Sequence, residues 1–242
     1  VGICCTVSQH VVPLVSELAD PASRGRIVGT VLSGLFLGIL FGRLAGGFIA
    51  ASLGWRWTYV IAAMLVTLVA VPVIANLPHA PPKTRLTYAE LMRSLARLWL
   101  DHPRVRRASV MQFLVGVGYG GFWGTLATFL AQAHGLGPTA AGLMGIPGAA
   151  GVLVSRPAGH WMDRSGATPV VRTGLALVVA AFVAFAFGER WVGALIAGAI
   201  LLDCGLRSAM VANQTLVIET APEARSRSST IFMGHVWAGN AV

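Results

Sequence analysis

Apolar residues fall in eight runs, at about 1–18, 27–52, 57–76, 108–133, 141–160, 168–188, 191–216 and 229–242, with polar residues collected between them. Each run is continuous and lacks the every-second-residue alternation of a barrel strand, so the pattern predicts helices. Crossing the hydrocarbon of a bilayer takes roughly 20 apolar residues, and the six inner runs meet that length. The first and last read as cut off. With Val1 in place of a methionine and no charged leader, the chain reads as a fragment.

One segment breaks the pattern. Residues 77–107 hold seven of the eighteen basic residues and two of the nine acids, and lipid would refuse them. Inside the segment, Thr87-Tyr-Ala-Glu90 has the form of a capping box. Tyr88, Leu91, Leu95 and Leu98 follow at helical spacing beside Trp99, with Arg93 and Arg97 on the other face. This predicts an interfacial amphipathic helix that ends near Pro103 and lies on a membrane surface.

The basic residues also set an orientation. Odd-numbered connections carry Arg24 and Arg26, then the seven bases of 77–107, then Arg164 with Arg156 and Arg172, then Arg225 and Arg227. Even-numbered ones carry Arg56 and Arg190, which makes fourteen against two. Short loops rich in Lys and Arg stay on the cytoplasmic side, so residues 77–107 are expected there. The net charge of +9 is thereby a topology signal spread over four loops and gives no support to a nucleic-acid partner.

Composition agrees. At 55% hydrophobic and 11% charged residues, with a mean hydropathy of +0.72, the chain has too little charge to cover a soluble domain. Cys4, Cys5 and Cys204 have neither metal nor redox spacing and read as small packing residues. The histidines are scattered, no hydrolytic constellation is present, and neither an enzyme, a metal site nor a cofactor is expected. Gly116-Val-Gly-Tyr-Gly-Gly121 matches a dinucleotide fingerprint but sits inside an apolar run with no strand before it, so its glycines read as allowing a bend.

An internal repeat divides the chain. Pro21-Ala-Ser-Arg24-Gly-Arg26 and Pro222-Glu-Ala-Arg225-Ser-Arg227 share Pro-x-x-Arg-x-Arg after an apolar run, six runs apart. Two parallel six-helix halves would place them so. The expected organisation is an all-α membrane protein of two pseudo-symmetric six-helix halves, truncated at both ends, with about eight helices present. Residues 1–76 belong to the first half, 77–107 to the connection, and 108–242 to an incomplete second half.

Charges inside the runs are the candidates for chemistry. Asp203 and Arg207 are one helical turn apart, and counting about 1.5 Å per residue from Trp191 sets Asp203 roughly 18 Å deep. A carboxylate at that depth is costly and faces a bundle interior or a water-filled pathway. A permanent structural ion pair is the competing reading. Arg43 follows Gly34, Gly38 and Gly42 and precedes Gly46 and Gly47, a glycine series that lets another helix approach. No acid in its own run can pair with it. Gln9, His10, Asn213 and Gln214 could add polar lining, although ordinary inter-helix hydrogen bonds account for them as well.

These residues resemble the major facilitator superfamily. Gly159-His-Trp-Met-Asp163-Arg164-Ser-Gly166 is similar to its loop motif G-x-x-x-D-R-x-G in the second-half copy. The glycine series ending at Gly46-Gly47 resembles the fifth-helix motif of its proton antiporters, with Gly42-Arg43 where that motif has Gly-Pro. Gly54-Trp-Arg-Trp57 and Leu201-Leu-Asp203-Cys-Gly are similar to a bacterial drug-efflux-like branch. The resemblance implies a piece from about the fourth helix to the eleventh and alternating access between two halves. It implies that Asp163 sits at a cytoplasmic gate near Arg24 to Gly29. It further implies a monomeric, proton-coupled exporter of a small organic solute. Uptake by proton symport on the same fold is the alternative, and a membrane sensor or scaffold without transport is the alternative of another class.

Overall fold

A computed structural model describes residues 24–76, 87–221 and 224–242. These residues are helical almost throughout, with no strand among them. The first run, with Gln9, His10, Cys4, Cys5 and the first copy of the repeat's proline, lies outside the described residues.

Helices α1 (Arg24–Ser52) and α2 (Trp55–Asn76) pack on each other. Gly54 joins them with φ near 90°, a conformation that a residue without Cβ adopts at no steric cost. After residues 77–86 come α3 (Tyr88–Asp101) and α4 (Pro103–His134), then α5 (Pro138–Leu143), α6 (Gly145–Gly148) and α7 (Ala150–Ser165). They are followed by α8 (Ala167–Phe185), α9 (Val192–Thr220) and α10 (Arg225–Asn240). Among the described residues, α2, α4, α8 and α9 are long and apolar enough to cross a membrane, and α1 is apolar from Leu37 to Ser52.

The run at 141–160 differs from its sequence reading as one span. The chain is helical there but is interrupted at Met144 and Ala149. Pro147 has no N–H to donate, and Ala149 N–H is shared between the Gly145 and Ile146 carbonyls at 3.0 and 3.1 Å. That sharing tightens the turn towards three residues, which brings Gly142, Gly145 and Gly148 towards one side.

α9 is the centre of the bundle and packs against α8, α7, α4 and α10. Its buried face is built largely of small residues, Ala194, Gly198, Ala199, Gly205, Ala209 and Ala212 among them. In lipid there is no hydrophobic drive between helices, so close backbone approach and dispersion must hold them together. Gly205 meets Gly174 of α8 on these terms: a Cβ on Gly174 would stand 2.8 Å from the Gly205 carbonyl oxygen. The glycines of the fingerprint-like run do the same work. α4 is unbroken, and Gly116 and Gly120 lie against Asn240 at the end of α10, while Gly118 lies against Phe182. They permit close contact with α10 and α8.

The capping box forms as its spacing predicts. The Thr87 N–H donates to Glu90 Oε2 at 2.8 Å, and the Glu90 N–H donates to Thr87 Oγ1 at 3.4 Å. The apolar stripe of α3 turns onto protein as well as outward: Leu98 is buried with Ala221, Ala224 and Ile231. Trp99 stacks on His235 of α10 at 4.7 Å, while Tyr88 stays exposed. The amphipathic helix therefore packs against α4 and α10.

Candidate functional site

Asp203 is the one acid buried in the body of the described bundle, at 2% exposure. It is the twelfth residue of α9, roughly 18 Å along the helix by the usual rise. Burial of a carboxylate needs compensation, and three elements supply it. Arg207 stands one turn further along α9, Arg43 comes from α1, and the Trp123 indole comes from α4. Asp203, Arg207, Arg43 and the Tyr119 hydroxyl share one electrostatic neighbourhood. Together with Gly145 and Gly148 they line a cavity of about 20 Å³, enough for a water molecule. Among the described residues, two guanidinium groups and one carboxylate line it, an excess of positive charge.

Arg43 makes the longest reach. Its guanidinium carbon lies 3.6 Å from the centroid of the Trp123 ring, and Nη2 donates to the Tyr119 hydroxyl at 3.0 Å. Tyr119 and Trp123 are one turn apart on α4, so one helix face presents both a hydroxyl and a π surface. The stem of Arg43 runs over Gly145, where a Cβ would come within 3.1 Å of the arginine Cβ.

Glycines make this convergence possible. Gly142, Gly145, Gly148 and Gly151 recur every third residue along α5 to α7. Gly142 meets Gly47 and the Arg43 carbonyl, Gly145 meets the Arg43 side chain, and Gly148 meets Trp123 and Asp203 Oδ2. Gly151 meets the Asp203 carbonyl and the Arg207 stem. α1 and α9 thus lie against one bare stretch of backbone, with Arg43 and Asp203 brought to the same cavity. Asp203 Oδ2 and Trp123 Nε1 are both buried, and the indole lies beside the carboxylate next to Gly148.

The other residues singled out in the sequence have these places. Arg207 lines the cavity with Asp203. Asn213 is buried two turns beyond, its amide donating to Met111 Sδ at 3.8 Å, and Gln214 is half-buried beside it. Gly46 touches Thr58 of α2 and Gly47 touches Pro138 and Gly142, while Gly34, Gly38 and Gly42 face open space among the described residues. Gly159 is half-buried and Arg164 exposed at the end of α7, and Gly166 turns the chain with φ 79°. The Asp163 side chain lies outside what is described, as do Gln9 and His10.

Tyr119, Trp123 and the glycines at 145 and 148 are absent from the sequence reading. Signals for them existed. An aromatic pair at i and i+4 inside an apolar span carries an O–H and an N–H that call for partners when buried, and four glycines at a spacing of three mark a helix built for close approach.

Comparison with known proteins agrees with this architecture. The chain matches the Major Facilitator Superfamily across residues 1–242. It is 33% identical over 241 residues to "Uncharacterized transporter YgaY" of Escherichia coli O157:H7, covering 99% of this chain and 61% of that protein. It is 34% identical over 238 residues to "Probable transporter SCO4007" of Streptomyces coelicolor, covering 98% and 55%. A "Multidrug resistance protein B homolog" of Mycobacterium tuberculosis is 21% identical over 288 residues, covering 95% and 53%. The chain therefore spans less than two thirds of the length of these relatives. With an all-helical bundle, helices long enough to cross a membrane and a profile match from end to end, the chain belongs to the major facilitator superfamily.

Proposed function

We propose that the protein is a secondary active transporter that works by alternating access and couples proton entry to the export of a small organic solute. The carrying observation is Asp203, a buried carboxylate against a cavity shared by α1, α4 and α9. Within the membrane, a carboxylate is a side chain that can gain and lose a proton under physiological conditions when its surroundings change. In the proposed cycle Asp203 takes a proton from outside, which weakens its attraction to Arg207 and Arg43. Rocking exposes the cavity inward, where proton release and solute binding reset it. Two halves, 1–76 and 108–242, move about the 77–107 connection, which lies on the cytoplasmic side of a bacterial inner membrane with its bases on anionic headgroups. The protein acts as a monomer, without cofactor. Gly159, Asp163, Arg164 and Gly166 form its gating loop.

Support for the exporting direction comes from the family resemblance of the glycine series and from the multidrug-resistance name of one relative. A second reading, uptake by proton symport, is favoured by Arg43 itself. Two guanidinium groups around one carboxylate suit an anionic solute, and a proton on Asp203 would strengthen the hold on an anion. Transport by the complete protein in vesicles of known orientation separates the two: extrusion against an inward pH gradient supports export, and accumulation supports symport. A sensor or scaffold without transport would give neither.

A further inference from the structure

Among the described residues, the α1–α2 pair meets the α4–α10 bundle in a narrow region. α1 packs on α5 and more lightly on α6, and α2 packs on α1. The contact lies towards the end where Gly54 joins α1 to α2 and Gly135 ends α4, which is the end away from Asn76 of α2 and Pro103 of α4. Gly47 on Gly142 supplies close backbone contact there, and by itself that contact has no directionality. Arg43, one turn further in, supplies it.

We infer that Arg43 is a positioning residue, a latch that holds α1 to the α4–α10 bundle by locking its guanidinium between Tyr119 and Trp123. The inference rests on the alternating-access reading and goes beyond it in naming the contact that keeps this end shut. Three features make the contact specific. The guanidinium is planar and lies 3.6 Å from the Trp123 centroid, so its face covers the ring while an edge N–H reaches the Tyr119 hydroxyl at 3.0 Å. Gly145 leaves room for the arginine stem, and a side chain there would press into it. Asp203 lies beyond, and its charge attracts the same guanidinium across the cavity. A lysine could face the ring or bond the hydroxyl but could not do both, since it has no planar fork.

The latch is released when the two helix groups separate at this end, and the aromatic pair then faces the opened cavity. Breaking it moves the balance between closed and open arrangements. Loss of a desolvated cation–π contact corresponds to a shift of about tenfold in that ratio.

The test uses the full-length protein in lipid nanodiscs, with Cys4, Cys5 and Cys204 replaced. Nitroxide labels are attached at Leu53 and Arg190, both exposed at this end and on different helix groups. Electron–electron distance distributions are recorded without solute. Arg43→Gln and Trp123→Leu are each expected to move about tenfold of the closed-to-open ratio towards the longer distance, and the double variant to move it no further. Trp123→Phe, which keeps a π face, is expected to recover most of the short distance, and Arg43→Lys to fall between wild type and Arg43→Gln. These conservative variants also carry the test if a harsher one fails to fold. An unchanged distribution in Arg43→Gln or Trp123→Leu, full additivity in the double variant, or no recovery in Trp123→Phe overturns the latch. The readout needs no transport, so a distance that depends on Arg43 beside solute flux that ignores pH would keep the latch and reject proton coupling.

Discussion

Gly47 and Gly142 touch through their backbones. A Cβ on Gly47 would stand 2.9 Å from the Gly142 Cα, and a Cβ on Gly142 would stand 2.8 Å from the Arg43 carbonyl oxygen. The absence of side chains at these two positions lets α1 settle on α5, and it carries Arg43 to the aromatic pair on α4. Gly142→Ala is therefore expected to destabilise by about 1–3 kcal/mol through overpacking. Gly121→Ala, on α4 with nothing within 4 Å among the described residues, is expected to stabilise by about 0.5–1 kcal/mol through helix propensity. Thermal unfolding of both variants in the same detergent, with opposite signs, checks the assignment.

The helix of the connecting segment has its own anchor. Leu98 is 8% exposed and packs with Ala221, Ala224 and Ile231. Leu98→Ala removes the buried part of that contact at a cost of about 2–3 kcal/mol. The expected outcome is faster hydrogen exchange over 88–101 while the amides of α9 keep their protection. Equal exchange in both proteins would place the anchor elsewhere along α3.

Acid should loosen the same helix at its start. The backbone N–H of Thr87, with its hydroxyl, donates to Glu90 and holds the carboxyl below its ordinary value near 4.5. A carboxylate whose folded value is depressed contributes stability that is present above its unfolded value and is lost as the pH falls through the folded one. Fraying of the first turn of α3 is thus expected only below about pH 4.5, and neutral pH leaves the cap intact. Exchange of the Glu90 and Leu91 amides against pH measures it. Thr87→Ala, which removes the hydroxyl, is expected to fray at neutral pH as well.

Much of this was legible in the sequence because lipid imposes strong rules. Continuous apolar runs had to be helices, and α1, α2, α4, α8, α9 and α10 begin and end within a few residues of their runs. The capping box was readable because its two bonds are local, Thr87 to Glu90 and back. Asp203 stood out because a carboxylate deep in an apolar run has few reasons to be there. The partner of Arg43 was not readable. Tyr119 and Trp123 meet it only after α1 has packed on α5, and no spacing along the chain encodes that encounter. The interruption at 141–160 was hidden for another reason: hydropathy does not report how tightly a helix is wound, and the effect of Pro147 with Gly142, Gly145 and Gly148 appears only in the hydrogen bonds.

The central claim is that Asp203 carries the proton that drives solute movement. Its most direct test is solute flux by the complete protein reconstituted in proteoliposomes, measured over a panel of solutes with pH recorded on both sides. The account predicts that wild-type flux scales with the imposed pH gradient and that Asp203→Asn flux, in a protein that folds with the same helix content, does not respond to it. Asp203→Asn flux that still scales with the gradient would contradict the account.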